Sequence, residues 1–340
     1  MIKTLAQSIG AYDIEFIFAV VIWLVAAIIL LWRLFERHYP KIWKLIKNFW
    51  QFLKTIPLIQ RLEQRYPQVW RFLHRRLSPE GYLGLHLTLG LLLIFITVAA
   101  FNNITIAVLE NNNIVRFDEA LAVALHQNTS PAEVEFLRVI TAFAGRTATF
   151  VIGGGVAVAL LIFRKKVLLV SWAVAILGDS LLNAGLKLFF QRARPEFTNP
   201  FLTEQNWSFP SGHSMGAVVM YGMLAYLLMN LFGSYINKLL LLGLVVTLVV
   251  LIGFSRMQLG AHFFSDVIAG FVAGGGWLVI VITGTEVVRR RRKSLESRAS
   301  SKAEKSPQTT RTSELSTKAF GNCNYSAIPK ITGSKGEIRD

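Results

Sequence analysis

The sequence predicts an all-α protein, a polytopic membrane helix bundle, and three observations carry that prediction. Apolar residues make up 53% of the 340-residue chain and charged residues only 16%, where about a quarter charged is usual for soluble domains. Seven runs free or nearly free of charge approach or exceed the roughly 17–25 residues needed to cross hydrocarbon. Lys and Arg gather in the loops at one side of those runs, the bias that marks a cytoplasmic face. A soluble chain of this length would have two domains, but here the excess apolar surface requires lipid. The single cysteine, Cys323, excludes an intramolecular disulfide and any multi-cysteine zinc site.

Taken in order, the first run is Phe16–Trp32; without a basic start or an A-x-A-like cleavage site it reads as a retained helix, not a signal peptide. Tyr82–Leu109 follows, interrupted only by His86, then Thr147–Phe163 and Val167–Phe190, which carries Asp179 and Lys187. Ser214–Asn237, Leu239–Ser255 and Phe263–Thr285 complete the seven. Residues 36–80 hold ten basic and three acidic residues, Arg164, Lys165 and Lys166 join the third and fourth runs, Lys238 the fifth and sixth, and Arg289–Lys293 follows the last. If the runs alternate, all of these fall on one side. The opposite loop, 108–146, holds three basic and five acidic residues. The N-terminus is therefore expected outside and the C-terminus in the cytoplasm of a multi-pass protein of the cell membrane.

The expected organisation is an N-terminal transmembrane helix (1–35), a basic cytoplasmic segment (36–80), a six-helix core (81–288) and a basic cytoplasmic tail (289–340) expected to be disordered from Ser294 onward for want of apolar residues. The basic segment repeats a pattern, Tyr39-Pro40-Lys-Ile-Trp43 and Tyr66-Pro67-Gln-Val-Trp70, each Pro suiting a first helical turn. Ile42, Leu45, Ile46, Phe49 and Leu53 share one face, so this segment reads as an amphipathic helix lying on anionic lipid. Packing on the cytoplasmic end of the bundle explains it equally well.

Three stretches place ionisable residues where a membrane protein avoids them unless they serve a function. Lys187 precedes Arg194-Pro195 across six residues, Pro210-Ser211-Gly212-His213 opens the fifth run, and Ser255-Arg256 precedes His262 and Asp266 between the sixth and seventh. By alternation all three lie at the outer face. Lys187, Arg194 and Arg256 supply positive charge, the arginines in forks that match phosphate oxygens. Ser211 and Gly212 stand at a helix start, where free N–H groups favour an anion. His262 and Asp266, four apart, share a helical face, so the carboxylate can orient the imidazole as a nucleophile. His213, from another segment, is free to protonate a leaving oxygen and then to activate water. The pattern is that of phosphoryl transfer, with cations neutralising charge where a metal otherwise does; it contains no carboxylate or cysteine cage for a metal.

These three motifs together resemble the signature of the type-2 phosphatidic acid phosphatase, or lipid phosphate phosphatase, superfamily, over residues 82–288 and with no position departing from the pattern. The resemblance implies a metal-independent, cofactor-free membrane phosphatase acting on a lipid phosphate or diphosphate, such as undecaprenyl diphosphate, phosphatidic acid or phosphatidylglycerophosphate. It implies that Lys187, Arg194, Ser211, Gly212 and Arg256 bind phosphate, that His262 becomes a phosphohistidine supported by Asp266, and that His213 is the acid. A lipid phosphotransferase passing phosphate to an acceptor, or a non-enzymatic lipid carrier, stays open as an alternative.

The remaining polar features read as structural. His38, His74, His86 and His126 have no catalytic company, and Asp179 is expected to hydrogen-bond a neighbouring helix. Gly153–Gly155 and Gly274–Gly276 suit close helix packing, Trp207 and Phe209 contact the lipid chain or form an interfacial belt, and Arg192 assists phosphate or faces headgroups. Arg289–Lys293 is a cytoplasmic stop, with no nucleic-acid partner expected.

Overall fold

The computed structural model describes residues 82–197, 201–202, 204–229 and 231–304, with a scattered set between 22 and 68. Helices α1 (Pro57–Arg65), α2 (Tyr82–Leu109), α3 (Asn113–Asn128), α4 (Pro131–Ala142), α5 (Arg146–Ile162), α6 (Lys166–Phe190), α7 (Gly212–Met229), α8 (Tyr235–Gln258) and α9 (Phe264–Glu304) account for the regular structure, and no strand occurs among the described residues. Six stretches of these are long and apolar enough to cross a membrane: Leu87–Leu109, Pro131–Ile162, Lys166–Phe190, Gly212–Met229, Tyr235–Gln258 and Phe264–Ser297. The all-α membrane-bundle prediction therefore holds. The expected first span, Phe16–Trp32, lies largely outside the described residues, as does about half of residues 36–80. Helix α1 ends at Arg65, two residues before Pro67, because the residue ahead of a proline, here Tyr66, is pushed out of the α region.

Three boundaries differ from the sequence reading. The loop expected across 108–146 contains α3 and α4. Helix α4 starts on a reciprocal capping box: the Glu133 N–H donates to Ser130 Oγ, the Ser130 N–H donates to Glu133 Oε2, and Pro131 fills the first turn. The break between α7 and α8 falls between Met229 and Tyr235 instead of at Lys238, which sits in the first turn of α8 with its ammonium 5.5 Å from the Tyr235 ring; a lysine stem reaches out from a helix end, so its charge does not require a break there. Helix α9 continues through Ser294–Glu304, where composition predicted disorder. Arg292 donates to Glu296 at 2.9 Å, a pair four residues apart that supports an exposed helix. The chain divides into two compact units, 1–289 and 290–340.

Inside the first unit, α7 is the central helix, buried nearly all round, and it packs against α6 and α8. Trp172 and Ala175 of α6, Ala217, Val219, Met220, Tyr221 and Met223 of α7, Ile252 of α8 and Val281 of α9 form the main core. Buried polar ends are satisfied: Trp172 Nε1 donates to the Gly153 carbonyl at 2.9 Å and Tyr221 Oη to the Phe143 carbonyl at 2.7 Å. The opposite surfaces carry large exposed apolar side chains, among them Phe150, Leu181 and Phe189, as a lipid-facing shell requires.

Close backbone approach fixes α9 on α7. A Cβ at Gly270 would stand 2.7 Å from the Ser211 carbonyl oxygen, and one at Gly274 would stand 2.7 Å from that of Met215. The packing role expected of Gly274–Gly276 is met at Gly274 and at Gly276, the latter against Thr97, but not at Gly275, and an added Cβ at Gly153, Gly154 or Gly155 would likewise meet no atom within 4 Å. Helices α3 and α4 cover the ends of α8 and α9: Leu121 and Leu125 pack on Phe254, Met257 and Phe264, while Val134 and Leu137 pack on Leu259.

Replacing Gly270 with alanine drives a methyl into backbone that cannot retreat. Gly270→Ala is expected to lower stability in detergent by about 1–3 kcal/mol despite the better helix propensity of alanine, read as a lower thermal unfolding midpoint than wild type.

Candidate active site

All three motifs converge at one end of the bundle. Helix α6 delivers Lys187 in its last turn and ends on Gln191, whose φ of 47° turns the chain sharply. That turn lets Arg192 and Arg194 point back across the helix ends. Ser211 precedes α7 and caps it, accepting from the Ser214 N–H at 3.5 Å and from Ser214 Oγ at 2.9 Å. Its own N–H donates to the Asp266 carbonyl at 3.0 Å, tying α7 to the first turn of α9. Helix α8 ends in a turn through Gly260, whose φ of 72° suits glycine and where a Cβ would meet Phe197 at 2.8 Å. The Ala261 and His262 N–H groups both donate to the Arg256 carbonyl, so this turn folds back on the last turn of α8 and leads directly into α9.

His262 is buried at the centre. Its Nδ1 lies 3.3 Å from Ser208 Oγ and 3.6 Å from Asp266 Oδ2. Ser208 Oγ donates to that same Oδ2, so its lone pair is left to accept from Nδ1–H. The other ring nitrogen, Nε2, stands 3.3 Å from Arg194 Nη1, a donor. These partners together select one tautomer: proton on Nδ1, lone pair on Nε2 facing the cations. Burial, then the charges of Arg256, Arg194 and Lys187, holds the imidazole well below its ordinary range, so it is neutral near pH 7.

Around Nε2 the cations are fixed mainly by carbonyl oxygens. Lys187 Nζ donates to the Trp207 carbonyl at 2.6 Å, and Arg194 reaches the Asn206, Ala261 and Trp207 carbonyls at 2.6, 2.5 and 3.3 Å. Arg256 is buried, donates from Nη1 to Thr141 Oγ1 at 3.1 Å, and has no hydrogen-bond partner at Nε. His213, in the first turn of α7, feels the charges of Arg256, Glu204, Lys187 and Arg194. Gly212 passes so close to Asn183 that a Cβ would lie 2.9 Å from its Oδ1. Every residue expected at the site is thus in or beside this cluster, although Ser211 is engaged as a helix cap and Gly212 as a close-packing position.

Four participants were not foreseen in these roles. Arg192 neither assists phosphate nor faces headgroups: it bridges two buried carboxylates, with Nη1 2.6 Å from Asp266 Oδ1 and Nη2 2.9 Å from Asp118 Oδ2, and lies 4.5 Å from the Phe263 ring. Asp118 also accepts from the Ser265 N–H at 2.9 Å and from Ser265 Oγ. It occupies the buried stripe of α3 with Leu121, Ala122 and Leu125, so a carboxylate at helical spacing among apolar positions was the available signal. Ser208, as described, stands between the imidazole and the carboxylate. Glu204 pairs with both Arg194, at 2.9 Å, and Arg256; burial pushes its carboxyl up, but the two guanidiniums outweigh that and hold it at about 2.

One further reading is not met at one of its two oxygens, and another is corrected. Asp179 Oδ1 is buried without a hydrogen-bond partner, so the bond to a neighbouring helix is absent at that oxygen. Phe209 does not reach toward lipid: it is buried against Phe101 and Phe190, with ring centroids 5.8 and 5.2 Å away, and lines a cavity of about 220 Å³ with Thr105, Phe190 and Arg192, whereas Trp207 is 41% exposed. Among the described residues, no three His, Cys, Asp or Glu side chains form a group able to hold a metal.

Comparison with known proteins gives this geometry its context. The PAP2 superfamily model matches residues 168–290, the span from α6 into α9 that bears all three motifs. Phosphatidylglycerophosphatase B of Bacillus subtilis is 43% identical over 98 residues, 28% of this chain and 47% of that protein; the alignment thus spans about half of the curated relative's length. The crystal structure of a transmembrane PAP2-type phosphatidylglycerolphosphate phosphatase from Bacillus subtilis superposes with a TM-score of 0.53 and 28% identity, over 57% of this chain and 96% of that one. LpxE of Aquifex aeolicus aligns more loosely, at a TM-score of 0.39 and 24% identity over 48% of this chain and 92% of that one. The resemblance carried by the three motifs is borne out, and the all-helical membrane fold is shared with the superposed phosphatase.

The network makes two measurable demands. Arg192→Ala leaves Asp118 and Asp266 buried without their shared cation, and should cost about 3–5 kcal/mol in chemical unfolding in detergent, with Arg192→Lys intermediate. His262 returns to about 6.5 on unfolding and lies well below that when folded, so the unfolded chain binds the extra proton as pH falls. Its contribution to stability is present above pH 6.5 and is lost progressively below it; the unfolding midpoint of wild type should drop between pH 7 and 5 more steeply than that of His262→Asn.

Proposed function

We propose that this protein is an integral membrane phosphatase that hydrolyses a lipid phosphomonoester or diphosphate at the outer leaflet through a phosphohistidine. The observation that carries the reading is the orientation of His262: a neutral imidazole with Nδ1–H backed by Ser208 and Asp266, and Nε2 facing Arg194 within a cluster of cations. Lys187, Arg194 and Arg256 would take the non-bridging phosphate oxygens, and the unpartnered Nε–H of Arg256 is a buried donor that such an oxygen satisfies. Nε2 attacks phosphorus as the bond to the lipid oxygen breaks, and His213 gives that oxygen its proton. In the second half, His213 takes a proton from water, the resulting hydroxide attacks phosphorus, the N–P bond breaks, and phosphate leaves. Charge developing on the transferred group meets fixed cations throughout, which is why the site needs no bound metal to neutralise it.

The similarity to phosphatidylglycerophosphatases makes phosphatidylglycerophosphate the first substrate to test, with phosphatidic acid and undecaprenyl diphosphate beside it. The outer-leaflet assignment rests on loop charge: Arg164, Lys165 and Lys166 lie at the end of α5 and the start of α6, remote from Lys187 at the other end of α6.

The deciding experiment measures phosphate release from these lipids by purified protein in chelator. Wild type should remain active with chelator present, while His262→Ala, still inserted and folded, should lose at least about 10⁴-fold in turnover. Near-wild-type turnover by the variant would overturn the nucleophile assignment, and loss of wild-type activity in chelator would overturn metal independence.

A further inference from the structure

Glu204 holds the position that the proposed reaction needs for its substrate. Its two carboxylate oxygens are shared between two guanidiniums, Oε2 with Arg194 and Oε1 with Arg256, one oxygen to each fork. Two oxygens of a phosphate would bridge the same pair in the same way. The arginines do not depend on Glu204 for their placement. Arg194 is fixed by the Asn206 and Ala261 carbonyls at 2.6 and 2.5 Å, and Arg256 by Thr141 Oγ1 at 3.1 Å from a buried position on α8. The carboxylate is the accessible member of the group. Its side chain is 29% exposed, against 12% for Arg194 and 2% for Arg256, whereas Asp118 and Asp266 are fully buried. It belongs to the segment between α6 and α7 and to neither helix.

The charge balance points the same way. Lys187, Arg192, Arg194 and Arg256 face Asp118, Glu204 and Asp266, which leaves the cluster one positive charge in excess beside a neutral His262. Withdrawing Glu204 leaves two, which matches a phosphomonoester carrying about −1.5 to −2 at pH 7. With Glu204 in place, a phosphate entering the same seat meets a like charge, which opposes its binding.

We propose that Glu204 is an intrinsic competitor for the phosphate seat: the substrate phosphate displaces its carboxylate from Arg194 and Arg256, and the carboxylate returns as inorganic phosphate leaves. This inference rests on the lipid phosphatase reading. A lipid substrate offsets the displacement by burying its chain, whereas free phosphate has nothing to set against it. The same residue therefore favours lipid phosphate over free phosphate and speeds release of the product. Glu204 acts by charge and occupancy, so its role differs in sign from that of a residue that positions the arginines.

The test is the isosteric, uncharged variant Glu204→Gln, with Glu204→Asp and Glu204→Ala beside it, each as full-length protein in detergent. Binding of inorganic phosphate is measured by titration calorimetry, and inhibition by phosphate and orthovanadate is measured against a lipid phosphate substrate. Glu204→Gln and Glu204→Ala should bind phosphate and vanadate about tenfold more tightly than wild type, and kcat should not rise, because release of phosphate slows. Glu204→Asp, which keeps the charge, should stay closer to wild type than either. Unchanged or weaker phosphate binding in both Gln and Ala variants would overturn the proposal and make Glu204 an organiser of the arginines. If wild type releases no phosphate from any lipid, the phosphatase reading falls, while tighter phosphate binding by Glu204→Gln would still establish the competition.

Discussion

Arg192 between Asp118 and Asp266 is the interaction on which the rest of the site depends. Two carboxylates with no solvent exposure share one guanidinium, and Ser265 and Ser208 supply further donors to them. Charges buried this deeply persist only when paired and hydrogen-bonded, because the desolvation cost is several kcal/mol per ion. The pairing joins the α3 helix, the turn after α6 and the start of α9 into one unit. Asp266 can then hold Ser208, and through it His262, in a single orientation. The imidazole is not braced by its carboxylate directly, since 3.6 Å separates Nδ1 from Oδ2. The hydroxyl between them completes the chain of contacts.

Much of this architecture was legible in the sequence because it depends on local patterns. Charge-free runs of membrane length located α2, α5, α6, α7, α8 and α9, and the three motifs named the cations, the histidines and Asp266. What escaped were relationships between distant positions. Asp118 and Arg192 are 74 residues apart, and Ser208 and Asp266 are 58 apart; no periodicity links such pairs. Glu204 read as an ordinary loop acid because its significance lies in two arginines on other elements. Helices α3 and α4 were legible in principle, from the buried stripe around Asp118 and the Ser130–Glu133 capping box, but a low-hydropathy loop between spans drew no helical reading. The extension of α9 beyond Arg289 escaped because composition weighs apolar content and overlooks ion pairs such as Arg292–Glu296.

Packing in the bundle explains why the site can be so polar without loosening the fold. Near the site, α7 meets α9 backbone to backbone at Gly270 and Gly274, where no side chain intervenes. Farther along, Trp172, Met220, Met223 and Ile252 fill the space that larger separation leaves. Association of helices in lipid draws on such close contact, since the apolar exterior gains little from leaving one hydrocarbon for another. The lipid-facing rows of α2, α5 and α6 are accordingly left to the bilayer.

The hydrogen bond from the Ser211 amide to the Asp266 carbonyl has a consequence for how such a protein diversifies. It is made by main-chain atoms, so no substitution short of proline at 211 removes its donor or acceptor, and it locks the entrance of one helix to the entrance of another. Chemistry is thereby insulated from sequence drift in the surrounding surface. Between α6 and α7, the positions other than Arg192, Arg194, Glu204 and Ser208 lie outside that lock, and substitution there can change headgroup preference while the reacting machinery stays the same.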